Sequence, residues 1–176
     1  DAWWPHVEAG IEAIVMTASG CGVTVREYAE LLADDEQYAE KARQISKLTR
    51  DIAEVIYDGE HGPLQAPAGI RVAFHSPCTL QHGQGIRGKV EAVLRAAGAE
   101  LVPVADSHLC CGAAGTYSLL QPALSEQLLG NKLGHLQQHK PQVIVSANIG
   151  CLVHLAGEAT VPVRHWIELI DPSPPG

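Results

Sequence analysis

The sequence is poor in basic residues, in aromatic residues and in long apolar runs. Twelve Lys and Arg residues against twenty Asp and Glu residues give a formal net charge of −8. This argues against general binding to nucleic acid or to an anionic membrane, since both need clustered positive charge. No apolar run approaches the length of a membrane span, and no secretion signal opens the chain. The absence of GxGxxG and Walker patterns also leaves no nucleotide- or flavin-binding signature.

What the sequence contains is an alternation of short apolar runs with helix-period segments. Of the 176 residues, 46% are hydrophobic and 18% charged, so a folded chain is expected. The runs that predict strands are 13–18, 70–74, 100–104, 142–147 and 161–163. This order predicts an α/β fold, with a parallel sheet flanked by helices in Rossmann-like βαβ units.

Three helices are predicted from apolar spacing, and a last helical turn from 166–170. A further helical stretch is predicted to begin at about Val25, after the turn SGCG. Apolar residues recur at three- and four-residue steps between Ile45 and Ile56, which predicts one continuous helix there. A second helix is predicted from Ile86 to Ala97, and Pro122 is suited to the first turn of a third. The third helix is expected to present its leucines on one side: Leu124, Leu128, Leu129, Leu133 and Leu136.

The chain contains an internal repeat. When Cys21 is placed over Cys151, five of the ten positions in 14–23 match those in 144–153. We interpret this as a duplicated strand–turn–helix unit. It predicts an incomplete first unit with its connecting helix over 1–58 and a complete second unit over 59–176. The remainder of the first unit would lie before Asp1, so we expect the chain to be a fragment of a longer protein.

The five cysteines are the most informative residues. Their odd number and one adjacent pair argue against a disulfide framework. Each follows a predicted strand, and parallel strands bring their carboxyl ends to one edge of the sheet. The sequence therefore predicts a metal or redox site at that edge, built from Cys21, Cys78, Cys110, Cys111 and Cys151.

Two histidines and a glycine-rich turn accompany these cysteines. His154 follows Cys151 by three residues at a predicted helix start, so it reaches the same side and is a candidate ligand. His75 is expected to contact ligands rather than to bind metal itself. Gly112 and Gly115 leave backbone N–H groups free to stabilise thiolates.

Several strings resemble the cysteine-rich CCG domain family. HSPC at 75–78 is followed by CCG at 110–112 and by Cys151-x-x-His154. This family occurs in subunits of heterodisulfide reductase and of anaerobic glycerol-3-phosphate dehydrogenase, and in iron–sulfur subunits of glycolate and lactate oxidation. Longer strings look like the iron–sulfur subunits of bacterial glycolate oxidase (glycolate dehydrogenase): MTASGCG at 16–22, VREYAELL at 25–32, HSPCTLQHGQ at 75–84, DSHLCCGAAGTYSLLQP at 106–122, ANIGC at 147–151 and PVRHWIELID at 162–171.

The resemblance implies an electron-transfer subunit of a complex that oxidises glycolate to glyoxylate. It implies two CCG repeats behind a ferredoxin-like domain with two [4Fe–4S] clusters, although no Cx₂Cx₂C run is present here. The matching positions assign Cys78, Cys110, Cys111 and Cys151 to an iron–sulfur cluster or to zinc in the second repeat, and Cys21 to the first repeat. FAD is expected only on partner subunits, so the fragment alone is not expected to be active. A cytoplasmic location is expected, or a peripheral one on the inner face of the cytoplasmic membrane through the complex.

The chain departs from the family pattern at its last cysteine. The pattern ends in CxxC, whereas this chain has Cys151-x-x-His154 in the second repeat and Cys21-x-x-Thr24 in the first. Two other interpretations stay open at this point. One is a structural zinc or subunit-docking module without a redox role. The other is a thiol–disulfide enzyme, which is disfavoured because adjacent cysteines form a strained disulfide.

Overall fold

The computed structural model describes residues 1–170, so the end of the predicted second unit, 171–176, lies outside the described residues. The strands are β1 (Ile14–Met16), β2 (Thr49–Asp51), β3 (Arg71–His75), β4 (Glu100–Leu101), β5 (Val143–Ser146) and β6 (Val163–His165). The helices are α1 (Trp4–Glu8), α2 (Ser19–Arg26), α3 (Tyr28–Leu31), α4 (Ala39–Leu48), α5 (Ile52–Asp58), α6 (Lys89–Ala96), α7 (Tyr117–Leu120), α8 (Pro122–Gln137) and α9 (Ile149–Ala156). A π-helical turn spans Thr79–Gly83, and a 3₁₀ turn spans Trp166–Leu169.

Every strand pair in the described residues is parallel, which confirms the predicted α/β class. Four strands form one sheet in the order β4-β3-β5-β6, and β1 pairs with β2 in a second, two-stranded sheet. In the larger sheet Val72 lies opposite Val143, and Ile144 lies opposite Val163. The carboxyl ends of β3, β4 and β5 therefore lie along one edge.

Helices cover both faces of the four-stranded sheet. Val72, Phe74 and Val145 point to one face, where they pack with α6 and Trp166. Ala73 and Ile144 point to the other face and pack with α8 and α9. The strands are buried on both sides, which explains their continuous apolar sequences.

The prediction of one helix through Ile45–Ile56 is wrong. The helix ends at Leu48, three residues form β2 beside β1, and α5 begins at Ile52. A capping box fixes the start of α5. The Asp51 side chain accepts a hydrogen bond from the Ala53 N–H at 2.9 Å, and the Glu54 side chain accepts one from the Asp51 N–H at 2.9 Å. The apolar spacing continues across the break, so periodicity alone does not show it.

Two other elements differ from their predicted bounds. The strand predicted over 100–104 ends at Leu101, and the helix predicted from about Val25 begins at Ser19. Helix α8 does begin at Pro122, as predicted, but Leu124 is exposed. The buried face of α8 is Ser125, Leu129, Lys132, Leu133 and Leu136.

The internal repeat extends further in the structure than in the sequence comparison. In each copy a strand leads into an eight-residue helix, α2 or α9, with its cysteine at the third position. The strand that pairs next, β2 or β6, ends in a capping box in each copy. TRDIAEVI at 49–56 and VRHWIELI at 163–170 share their Arg, Glu and final Ile. The similarity between the two copies includes this second strand, while the duplication and the units 1–58 and 59–176 remain predictions.

Within residues 1–170, no helix combines the length and the apolar character that a membrane crossing requires.

The packing of α6 generates a stability prediction. Leu94 is fully buried in the core beneath α6, so Leu94→Ala should lower the free energy of unfolding by about 2–5 kcal/mol in urea denaturation. The matched control is Leu31→Ala on α3, where the side chain is 67% exposed and the change should stay within about 0.5 kcal/mol. Equal changes in the two variants would contradict the packing assigned to Leu94.

Candidate metal centre

Two of the cysteines are positioned by the ends of the central strands. Strand β3 ends at His75, and Cys78 follows at the start of the π-helical turn. Strand β5 leads to Asn148, whose Oδ1 accepts the N–H groups of Gly150 at 2.9 Å and Cys151 at 3.3 Å. This N-cap fixes the first turn of α9 and with it the Cys151 side chain.

The loop that carries the adjacent cysteines is held by two buried polar side chains. Lys132 Nζ donates to the carbonyl oxygens of Asp106 at 3.0 Å and Ser107 at 3.3 Å. Gln81 Nε2 donates to the carbonyl oxygens of Ser107 at 3.1 Å and Ser76 at 2.9 Å. Gln81 therefore links the segment before Cys78 to the segment before Cys110.

Gly112 allows two consecutive cysteines to turn into the site. Its φ is +95°, and a Cβ added there would lie 2.5 Å from the Ser125 carbonyl oxygen, so no other residue fits. Its N–H points back to the thiol of Cys110, with the nitrogen 3.3 Å from Sγ. Backbone donors of this kind stabilise negative charge on sulfur.

Four thiols form a continuous chain at this edge. Cys110 contacts both Cys78 and Cys111, and Cys111 in turn contacts Cys151. A ring nitrogen of His75 and the sulfur atoms of Cys111 and Cys151 all lie within 4.8 Å of one another. Cys111 is 1% exposed and Cys151 is 7% exposed, so most of the group is shielded from water.

Hydrogen bonding within the chain concentrates negative charge at its centre. Hydrogen bonds from the thiols of Cys111 and Cys78 lower the pKa of Cys110 well below its usual range. The bonds to Cys110 raise the pKa of Cys78 and Cys111, and burial raises both further. A bound cation would replace the shared protons, because metals bind the thiolate form and release protons on binding.

His75 is held as a neutral imidazole. Burial lowers its pKa to about 3, and the nearby positive charge of Lys132 lowers it as well. Its Nδ1 lies 3.0 Å from Ser146 Oγ on the neighbouring strand β5, which fixes the ring orientation. Neutral imidazole is the form that binds metals.

The structure separates the predicted site residues into two groups. It brings together Cys78, Cys110, Cys111 and Cys151, whereas Cys21 and His154 are not in the thiol chain. Cys21 is exposed and lines a cavity of about 310 Å³ together with Cys78 and Cys151. His154 Nε2 lies 3.2 Å from Ser125 Oγ, so that nitrogen is directed at α8.

Three residues at the site have no predicted role in the sequence, or a different one. His75 is predicted to contact ligands only, yet its ring lies within the group of ligand atoms. The sequence signal for a role of His75 in the site was its position at the carboxyl end of a buried strand. Gln81 and Lys132 are not among the predicted residues. The only signal for Lys132 was its place among the apolar positions of α8, three residues after Leu129 and four before Leu136.

The cavity beside the thiols lies where the two copies of the repeat meet. Ser19 on α2 donates its backbone N–H to the Ala147 carbonyl oxygen at 3.0 Å. Its hydroxyl lies 2.8 Å from that of Thr79, and Asn148 Nδ2 donates to the Thr79 hydroxyl at 3.2 Å. This part-buried polar contact holds the start of α2 against the segments that carry Cys78 and Cys151, and all three cysteines line the cavity.

The donor set fits a thiolate-bound metal centre. Cysteine sulfur and neutral imidazole bind zinc, and cysteine thiolates, in some sites with histidine, bind iron–sulfur clusters. The backbone N–H of Gly112 and the buried cation of Lys132 both compensate negative charge at such a centre. The geometry allows either kind of metal.

Comparison with known proteins agrees with this interpretation of the site. The chain is 52% identical over 171 residues to the glycolate oxidase iron-sulfur subunit of Escherichia coli (strain K12). The aligned region covers 97% of this chain and 42% of that protein. It is 27% identical to lactate utilization protein A of Shouchella clausii, over 93% of this chain and 71% of that protein. The chain thus spans less than half of the E. coli relative. The model of the cysteine-rich CCG domain matches residues 72–156, and the matched part contains Cys78, Cys110, Cys111 and Cys151.

Proposed function

We propose that this chain is part of an iron–sulfur electron-transfer subunit in a complex that oxidises glycolate, or another 2-hydroxyacid, together with flavin-containing subunits. The observation that carries the proposal is the gathering of cysteines at one sheet edge, where Cys111 and Cys151 lie with His75 in one group of ligand atoms and Cys78 and Cys151 line one cavity. The name of the E. coli relative supports both an iron–sulfur subunit and glycolate as the substrate.

In this proposal the protein supplies ligands, shielding and charge compensation. An iron–sulfur cluster bound here would take up and release single electrons. Cys78, Cys110, Cys111 and Cys151 bind as thiolates, and His75 offers a neutral nitrogen beside them. Helices α8 and α9 exclude water from Cys111 and Cys151, which raises the strength of each electrostatic contact.

The partners and the location follow from the same proposal. The flavin subunits would carry FAD and remove the substrate hydride, since the sequence has no flavin-binding motif. Electrons would also pass to a ferredoxin-like domain with two [4Fe–4S] clusters in the same longer protein. The complex would work in the cytoplasm or on the inner face of the cytoplasmic membrane.

A second candidate is a structural zinc site. It is favoured by the compact trio of His75, Cys111 and Cys151, whose ligand atoms are close enough to share one ion. Zinc prefers four such ligands in structural sites, and Cys110 lies beside the trio as a fourth. This site would hold the central strands and α9 together without a redox role.

Metal analysis distinguishes the two functions. Protein purified anaerobically should contain iron and acid-labile sulfide in stoichiometric amounts, and Cys111→Ser should lower both by roughly tenfold or more, since even groups that merely hold ligands change metal affinity by about 10–100-fold. Cys21→Ser is the control, because Cys21 is outside the thiol chain and its loss should leave the iron content unchanged. Zinc without iron would support the structural site. A Cys111→Ser protein with the full metal content would exclude Cys111 as a ligand.

A second comparison decides which histidine serves the site. His75→Ala should lower metal content strongly, because its ring nitrogen lies with the thiols. His154→Ala should retain most of the metal, because Nε2 faces Ser125 instead. Metal per chain is measured on both variants after circular dichroism has shown that they fold. Metal loss confined to the His154 variant would restore His154 as the ligand and contradict the assignment of His75.

A further inference from the structure

A buried lysine lies behind the thiols. Lys132 is 2% exposed in the middle of α8, where its neighbours on the same face include Leu129, Leu133 and Leu136. Lysine is almost never fully buried unless its charge is paired. The position therefore needs a negative partner.

No carboxylate of the described residues forms an ion pair with Lys132. Its two hydrogen bonds go to backbone carbonyl oxygens, which satisfy donors but carry no net charge. The carboxylate of Asp106 is on the same loop, but it lies 3.6 Å from His135 Nε2 and is largely exposed. A buried cation paired only with neutral oxygens would be strongly destabilising.

Lys132 is tied to the loop that carries the cysteines, since the carbonyl oxygens it holds belong to Asp106 and Ser107, a few residues before Cys110 and Cys111. The negative charge available to it is that of the Asp106 carboxylate and of the cysteines once they bind metal as thiolates. Burial lowers the pKa of Lys132, while negative charge on Cys111, on Cys110, on Asp106 and on Cys151 opposes that shift. The positive charge of Lys132 also disfavours a proton on His75, which lies with Cys111 and Cys151. Lys132 is thus a buried cation of α8 that holds the cysteine loop.

We propose that Lys132 is the counter-charge of the thiolate centre: a positioning residue that holds the cysteine loop and whose buried cation stabilises the added electron. This rests on the proposed function. Reduction adds one electron to the bound cluster from an external reductant such as dithionite, with no bond broken and no proton moved. Because the centre then gains one negative charge, a fixed cation nearby favours the reduced form.

The test is a redox titration of the iron-loaded, full 176-residue chain. Lys132→Met and Lys132→Gln remove the charge, and the glutamine retains a donor for the carbonyl oxygens of Asp106 and Ser107. Both should shift the midpoint potential to more negative values by about 59 mV, which is a tenfold change in a one-electron equilibrium. Lys132→Arg keeps the charge and should stay near the wild-type potential. Lys47→Met, on the exposed side of α4, is the control for loss of a helical lysine and should change nothing.

The outcomes separate the two proposals. A wild-type chain without a reducible centre would contradict the proposed function before any variant is compared. A normal wild-type centre with an unshifted potential in the fully loaded neutral variants would contradict the role of Lys132 alone. If both neutral variants fold but do not bind iron, iron binding by Lys132→Arg would support a requirement for positive charge at position 132. Failure of the Arg variant as well would overturn it, because packing would then be the requirement.

Discussion

The candidate site depends on three neighbouring strands pointing the same way. Because β3, β4 and β5 are parallel and adjacent, the segments that follow them begin at one edge, although they are far apart in the chain. Cys78, the Cys110–Cys111 pair and Cys151 each belong to one of these segments. An antiparallel partner in this sheet would have sent one of the three to the opposite edge.

Gathering thiols in a buried place creates an electrostatic problem that the surrounding residues resolve. Cysteines that bind metal as thiolates need hydrogen-bond donors and positive charge close by. Gly112 supplies a backbone N–H, Asn148 fixes the start of α9, and Lys132 brings a buried cation to the cysteine loop. The neutral His75 adds a nitrogen that can bind metal, and it adds no charge. This suits a buried site, where each further charge costs free energy.

Much of the fold was predictable, because its signals are local. Apolar β-branched runs identified the strands of the larger sheet, Pro122 marked the start of α8, and the shared Gly-Cys step indicated the duplication. Strand β2 was not predictable from periodicity, since its three residues continue the helical spacing of their neighbours. The Arg, Glu and Ile shared by 49–56 and 163–170 could have indicated β2. These two segments are separated by a different number of residues than Cys21 and Cys151, so the alignment of the two cysteines does not bring them together.

By itself, the sequence determined that the chain is a parallel α/β protein with cysteines at the carboxyl ends of its strands. Only the tertiary structure decided which side chains accompany them. His154 follows Cys151 by only three residues, yet its Nε2 turns to Ser125. His75 reaches Cys111 and Cys151 from the adjacent strand β3. Lys132 comes from α8, which packs with α9 on one face of the sheet. Spacing along one segment shows which face a residue occupies, but contacts between segments depend on how whole elements pack.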